Sequence, residues 1–168
     1  MKEQMVFPAV LDACCGPRSM WFDSSDKRAL FIDKRQGVYV SKYLDGRKTQ
    51  TVLNVAPDVV ANFTAMPFAS GKFRLVVFDP PHLARAGTGH IFQRYGSLPN
   101  DWVEVLRRGF AECFRVLAPW GLLVFKWAET DFPLNDVLAL TPHRPLFGHR
   151  TGRGARTHWC VFLKEMST

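Results

Sequence analysis

Four polar residues each stand at the end of a short apolar run, and their side chains are hydrogen-bond acceptors that a small ligand can use. They are Asp12, Asp33, Asn62 and Asp79. In an α/β sheet the ligand lies at the carboxyl ends of the strands. If the apolar runs are strands, these side chains are predicted to meet at one edge of a sheet.

Asp79 begins the most specific motif of the chain, Asp79-Pro80-Pro81-His82. Two consecutive prolines after the apolar run 73–78 forbid any continuation of a strand or a helix, so the chain must leave the sheet at Asp79. The prolines then hold the acceptors of the motif rigid. A structural turn is the alternative, and the position after a buried strand favours catalysis.

The elements that would position these residues alternate along the chain. Short apolar runs predict strands separated by polar or helical crossovers, at 6–11, 29–32, 59–63, 73–78 and 122–127. Asp45-Gly46 predicts the turn of a hairpin within 38–55, and residues 145–148 and 158–163 predict a closing hairpin around a basic, glycine-containing turn. This pattern is typical of an α/β sheet covered on both faces.

Helical signals appear at two places. The clearest helix is predicted before Pro119, where apolar residues recur at helical spacing from Val103 to Leu117. Asn100 and Asp101 can cap it, and Glu104 completes a capping box. A short helix is predicted after Cys14-Cys15-Gly16, because Pro17 suits a first helical turn.

The order of these motifs resembles that of the class I S-adenosylmethionine-dependent methyltransferases, and within them the amino-methyltransferases with an Asp/Asn-Pro-Pro-aromatic motif. The matching segments are 11–16, 31–33, 62–68, 73–82 and 115–121. The resemblance covers most of the chain. The chain is most similar to the small methyltransferases of phages and prophages. It implies one Rossmann-like methyltransferase domain over residues 1–168, with a mostly parallel sheet, a C-terminal antiparallel hairpin and no separate target-recognition domain.

The resemblance implies a binding site for S-adenosylmethionine, made by Asp12, Cys14, Gly16, Asp33, Asn62 and Phe63. A glycine after a strand lets the backbone approach a ligand, and an acid at the end of the second strand can accept hydrogen bonds from both ribose hydroxyls. Asn62 and Phe63 would flank the adenine, although Asn62 replaces the usual acid. The alternatives are a plain turn at Gly16, a solvated acid at Asp33 and a core position for Phe63.

The resemblance also implies the catalytic group Asp79, Pro80, Pro81 and His82. In that mechanism the Asp79 carboxylate and the Pro80 carbonyl accept hydrogen bonds from a target amino group and turn its lone pair towards the methyl group. His82 departs from the family, which usually has Tyr, Phe or Trp there to stack on a flipped base.

Positive charge is concentrated in two segments, 80–100 and 132–164, in which Asp136 is the one acid. The chain has 22 Lys and Arg against 15 Asp and Glu, a net charge of +7. The arginines expected to contact nucleic acid are Arg85, Arg94, Arg150, Arg153 and Arg156. A solvated basic surface is the alternative.

Other function classes fit less well. The four cysteines lack the spacing of a zinc site, so no metal is expected, and free thiols indicate a reducing compartment. No apolar stretch is long enough to cross a bilayer and no signal-type region follows the N-terminus, so we expect a cytoplasmic protein. The sequence around Gly16 lacks the repeated glycines of a nicotinamide-binding fingerprint.

The leading hypothesis is methylation of an exocyclic amine of a nucleic-acid base, in DNA adenine or in RNA. The same motif would serve a protein amide or a small molecule, and a non-catalytic basic binding module is the third possibility. The sequence does not predict the oligomeric state.

Overall fold

The structure is a computed structural model that describes residues 8–41, 51–84, 90–150 and 156–166. These residues form nine strands and three helices. The strands are β1 (Val10–Asp12), β2 (Ala29–Asp33), β3 (Gly37–Ser41), β4 (Thr51–Val55), β5 (Val59–Val60), β6 (Phe73–Phe78), β7 (Leu117–Ala128), β8 (Phe147–Arg150) and β9 (Thr157–Leu163). The helices are α1 (His90–Tyr95), α2 (Trp102–Val116) and α3 (Leu134–Leu138).

Seven strands form one sheet in the order β5-β2-β1-β6-β7-β9-β8. All neighbours from β5 to β7 are parallel, whereas β9 runs antiparallel to both β7 and β8. The mostly parallel sheet with a C-terminal antiparallel hairpin is therefore confirmed. The strand order reverses between β1 and β6, which opens the crevice at the carboxyl ends where ligands bind in such sheets.

The strands β3 and β4 pair with each other as a separate antiparallel hairpin. This confirms the hairpin predicted within 38–55, while its predicted turn at Asp45-Gly46 lies outside the described residues.

The main core lies between one face of the sheet and α2. Phe110 of α2 meets the rings of Phe78 and Phe125, with centroids 5.5 Å and 4.9 Å away. Alternation along the strands sends these side chains to one face, where Leu123 and Trp127 are also fully buried. The apolar spacing that predicted α2 is the stripe that packs here, so this helix is confirmed.

The opposite face has no comparable cover among the described residues. Turns within 13–28 lie over β2, where the Trp21 ring meets Phe31 edge-on. Further along the sheet, Leu122 is 37% exposed and Phe147 is 63% exposed. Cover on both faces is therefore only partly confirmed.

Two local predictions are wrong. No helix forms after Gly16, because Arg18 has a φ of 54° and interrupts any helical run. Asp101 precedes α2 without a side-chain capping bond, and its backbone carbonyl accepts from Glu104 N and Val105 N instead. None of the helices in the described parts of the chain is both long and apolar enough to span a bilayer.

Candidate active site

A cavity of about 490 Å³ opens at the carboxyl ends of the central strands. Its lining includes Gly16 after β1, Asp33 at the end of β2, Asp79 after β6 and Lys126 near the end of β7, and Tyr95 of α1 closes one side. The volume lies in the range of small-molecule and cofactor sites. The strand ends therefore bring together groups that are 17 to 110 positions apart in the sequence.

Asp33 organises one end of the cavity. Its Oδ2 accepts a hydrogen bond from Gly16 N at 2.9 Å, and its Oδ1 accepts from Arg35 N at 2.8 Å and from Arg35 Nε at 3.3 Å. Gly16 has a φ of 49°, which favours glycine. The glycine loop and the acid of β2 are thus joined into one unit.

Arg35 extends this unit to α1. Its Nη1 and Nη2 donate to the carbonyls of Gln93 and Arg94, each at 3.2 Å. The guanidinium therefore connects the Asp33 end of the cavity to the helix that closes it. Sequence reasoning missed the link from Arg35 to α1, because the two acceptors are backbone carbonyls nearly 60 positions away.

Asp12 lies beneath the glycine loop and does not line the cavity. Its Oδ2 accepts from Trp21 Nε1 at 2.7 Å and its Oδ1 accepts from Cys14 N at 3.2 Å. Burial raises the pKa of Asp12 to about 7, since desolvation outweighs these two neutral donors. Cys14 does line the cavity, and burial raises the pKa of its thiol well above the ordinary value.

Asp79 forms an ion pair with Lys126 at the other end of the cavity. The distance from Lys126 Nζ to Asp79 Oδ2 is 2.6 Å, and the two side chains are only 22% and 12% exposed. Burial raises the pKa of Asp79, and the ammonium of Lys126 opposes that rise. The Asp79 carboxylate therefore lies in the cavity lining with a cation beside it.

The segment after Asp79 is fixed from both sides. Ala84 N donates to Asp131 Oδ2 at 2.7 Å, and Leu83 O accepts from Leu98 N at 2.8 Å. Pro80 is buried and Pro81 lines the cavity. The motif is thus held in one position, as expected of two prolines.

His82 does not line the cavity. Its ring lies beside those of Tyr95 and Trp127, with centroids 5.7 Å and 6.3 Å away. Burial lowers the pKa of His82, so the imidazole is neutral near pH 7. Tyr95 does line the cavity, with its ring centroid 6.0 Å from Lys126 Nζ, and the sequence analysis did not single it out.

The two residues expected beside adenine separate in the structure. Phe63 lines the cavity and also packs edge-on against Phe78, with centroids 5.2 Å apart. Asn62 is exposed, does not line the cavity, and uses Oδ1 to accept from Thr64 N. Its side chain shapes the turn after β5.

The predicted nucleic-acid contacts are described in part. Arg94 lines the cavity, and its Nε donates to Ser19 Oγ at 3.3 Å. Arg156 is exposed. Arg85, Arg153 and the side chain of Arg150 lie outside the described residues. Within the described segments, no three His, Cys, Asp or Glu side chains come together to hold a metal ion.

Comparison with known proteins relates the fold to solved structures. No protein-family model and no curated protein matches the sequence. A S-adenosylmethionine-dependent methyltransferase of Methanosarcina mazei matches with a TM-score of 0.57 and 12% identity, over 94% of this chain and 92% of that chain. The Burkholderia thailandensis 1,6-didemethyltoxoflavin-N1-methyltransferase, solved with its substrate and S-adenosylhomocysteine, matches with a TM-score of 0.51 and 14% identity, over 94% and 71%.

A nucleic-acid methyltransferase has the same fold. The Thermus thermophilus 16S rRNA N2 G1207 methyltransferase, in complex with S-adenosylmethionine and guanosine, matches with a TM-score of 0.52 and 14% identity. This match covers 94% of the present chain and only 35% of that one. The chain therefore has the Rossmann-like fold of the class I S-adenosylmethionine-dependent methyltransferases, as its motif order predicted.

Proposed function

We propose that this protein is a S-adenosylmethionine-dependent methyltransferase that acts on an exocyclic amino group of a nucleic-acid base, in DNA adenine or in RNA. The observation that carries the proposal is the shared cavity. The loop of Gly16 with Asp33 lies at one end and the Asp79 acceptor lies at the other, so a methyl donor and an amine would meet between them.

The described residues fit the cofactor. Gly16 lines the cavity, and its φ of 49° is a backbone conformation that residues with a side chain rarely adopt. Asp33 would hold the ribose: a carboxylate has about four acceptor positions, and the 3.3 Å contact from Arg35 Nε is the one that a hydroxyl would replace. Phe63 would pack against the adenine.

Bound S-adenosylmethionine supplies an electrophilic methyl group on a positively charged sulfur, and its transfer leaves S-adenosylhomocysteine. Asp79 and the Pro80 carbonyl accept hydrogen bonds from the target amino group and direct its lone pair into the cavity. The amine nitrogen forms one bond to carbon and gives up one proton, for which the Asp79 carboxylate is the adjacent acceptor. A base amine is a weak nucleophile, so this orientation provides what basicity does not.

Charge and aromatic groups support a nucleic-acid substrate. The net charge is +7, and Arg94 stands at the cavity next to Tyr95, with its Cζ 5.6 Å from the ring centroid. Tyr95 takes the stacking role that the sequence assigned to His82, because it is Tyr95 that faces the cavity. A cation and a ring side by side suit a phosphate and a base.

The first experiment separates cofactor binding from transfer. Titration calorimetry of the purified protein with S-adenosylmethionine should show micromolar binding, which Asp33→Ala abolishes and Asp79→Ala retains. Transfer of a labelled methyl group to DNA or RNA should disappear with Asp79→Ala. Asp136→Ala, an exposed carboxylate of α3, is the matched control and should keep both activities.

Three results would contradict the proposal. Absence of cofactor binding to the wild-type protein overturns it entirely. Binding without transfer to any DNA or RNA overturns the substrate class. Transfer to a protein amide or a small molecule that survives charge reversal at Arg94 and Arg156 supports the alternative substrates, for which Asp79 and Pro80 would do the same work.

A further inference from the structure

Lys126 places a cationic donor directly beside the amine acceptor of the cavity. The parallel register pairs Phe78 with Phe125, so Asp79 and Lys126 follow side by side on neighbouring strands. Alternation along β7 buries Phe125 and Trp127 on the α2 face and sends Lys126 to the other side. Its place in the cavity is thus fixed by the sheet.

The ammonium has donors to spare. A lysine ammonium carries three N–H groups, and the hydrogen bond to Asp79 Oδ2 uses one of them. Within the described residues, Nζ otherwise lies near the rings of Tyr95 and Trp159, with centroids 6.0 Å and 5.8 Å away. Neither ring is a conventional acceptor, so two N–H groups are left for a ligand.

Asp79 and Lys126 together form an acceptor and a donor 2.6 Å apart. The complementary group in a substrate is an N–H donor and a lone-pair acceptor on the same carbon. The bases display this pair where an amino group neighbours an unprotonated ring nitrogen, as at N6 and N1 of adenine or N4 and N3 of cytosine. An aniline or an alkyl amine has no such second atom.

We propose that Lys126 donates a hydrogen bond to the ring nitrogen next to the target amine, and so restricts transfer to amino-substituted heterocycles that carry this nitrogen. This inference rests on the proposed function. It assigns to Lys126 a specificity role separate from methyl transfer itself. The burial of both side chains strengthens the contact, because hydrogen bonds from charged donors gain when water is excluded.

The test measures whether the effect of removing the ring nitrogen from the substrate depends on the Lys126 side chain. Oligonucleotides containing adenine or 1-deazaadenine, which lacks the N1 acceptor, are methylated by wild-type protein and by Lys126→Met. Cytosine with 3-deazacytosine, and guanine with 3-deazaguanine, are the equivalent probes if transfer goes to those bases. Deaza substitution also changes the amine itself, but that change is common to both proteins and cancels in the ratio of kcat/KM ratios.

Wild-type protein is expected to prefer adenine over 1-deazaadenine by about 10- to 100-fold more than Lys126→Met does, the range of a charged hydrogen bond. Lys126→Arg keeps a charged donor and should keep most of the preference. An unchanged preference in Lys126→Met overturns the inference and leaves Lys126 as the counter-ion of Asp79.

Loss of activity has a different meaning in the variant and in the wild-type protein. If Lys126→Met folds but is inactive, affinity for the two oligonucleotides in the presence of S-adenosylhomocysteine gives the same comparison, and equal discrimination by the two proteins overturns the inference. Absence of transfer by wild-type protein to any base overturns the proposed function, and the inference with it.

Discussion

The three acids at the ends of the central strands differ in their partners. Asp33 pairs with Arg35 and Asp79 pairs with Lys126, whereas Asp12 receives two neutral hydrogen bonds and no cation from the described residues. Burial without a cationic partner is expensive for a carboxylate, which is why the pKa of Asp12 rises to about 7. The buried Asp12 carboxyl therefore lowers the stability of the fold at neutral pH, while its hydrogen bond from Cys14 N holds the glycine loop.

This difference predicts an unusual pH dependence for Asp12→Asn. The folded-state pKa of Asp12 is raised, so its unfolded form ionises first and the free energy of unfolding falls as pH rises from about 4 to about 7. Asparagine does not titrate. Relative to wild type, the variant should gain on the order of 4 kcal/mol between about pH 4 and about pH 8, as measured by urea unfolding at each pH.

Asp23→Asn is the opposite control. Hydrogen bonds from Ser25 lower the pKa of this exposed carboxyl, so its contribution is complete by about pH 5. Its stability difference from wild type should stay constant above that pH. A constant difference for Asp12→Asn as well would show that Asp12 is not buried as described.

Sequence reasoning located acids at this scale more readily than their partners. Asp12, Asp33 and Asp79 were predicted at strand ends because each interrupts an apolar run. Lys126 lies within the predicted strand 122–127, and its pairing with Asp79 follows from the parallel register of β6 and β7. Arg35 carried no such signal, because its hydrogen bonds to the carbonyls of α1 depend on how that helix lies over the cavity.

At the scale of elements, α2 depends on close contact at one glycine. A Cβ on Gly109 would lie 2.8 Å from Phe78 Cζ and 2.9 Å from Phe63 Cδ2. Phe63 and Phe78 meet edge-on at this point, and Phe63 continues into the cavity lining. Gly109 thus allows α2 to pack directly against Phe63 and Phe78, and Phe63 lines the cavity.

Gly109→Ala should therefore destabilise the protein by about 1–3 kcal/mol, because overpacking outweighs the gain in helix propensity of about 1 kcal/mol. Ala111→Gly, at an exposed position of the same helix, should cost about 1 kcal/mol through propensity alone. Urea unfolding of both variants gives the comparison. An increase in stability for Gly109→Ala would mean that the helix does not approach the aromatic pair this closely.

Long periodic elements were predictable and short ones were not. The apolar spacing of α2 predicted both its existence and its buried face. The helix α1 has six residues and no acid in its first turn, so its sequence does not predict a helix. The loop after β1 is shaped from a distance, since Arg18 pairs with Asp58 at 3.0 Å and donates to the carbonyl of Ala56.

At the scale of the whole molecule, the described residues pack more heavily on the α2 face of the sheet than on the opposite face. Phe125 lies in the core against Phe78, Phe110 and Trp127. Phe147, on the outermost strand, is 63% exposed. The stability of the domain should therefore come mainly from the α2 face.

Truncation at these two phenylalanines measures the asymmetry. Phe125→Ala should cost about 3–5 kcal/mol, because it leaves a cavity among buried rings. Phe147→Ala should change stability by no more than about 0.5 kcal/mol. Chemical unfolding of the isolated protein provides both values, and a large loss for Phe147→Ala would reveal a partner for that face in solution.

One guanidinium would let this small domain couple the binding of the two ligands of the proposed function. Arg35 holds Asp33 with one part and the carbonyls of α1 with another, and α1 ends at Tyr95 on the far side of the cavity. A ligand that takes the place of Arg35 on Asp33 would act on the same guanidinium that holds the helix beside the second ligand. If the ligand at Asp33 changes the affinity for the ligand beside α1 by some factor, the second ligand must change the affinity for the first by the same factor, because the two binding free energies are linked.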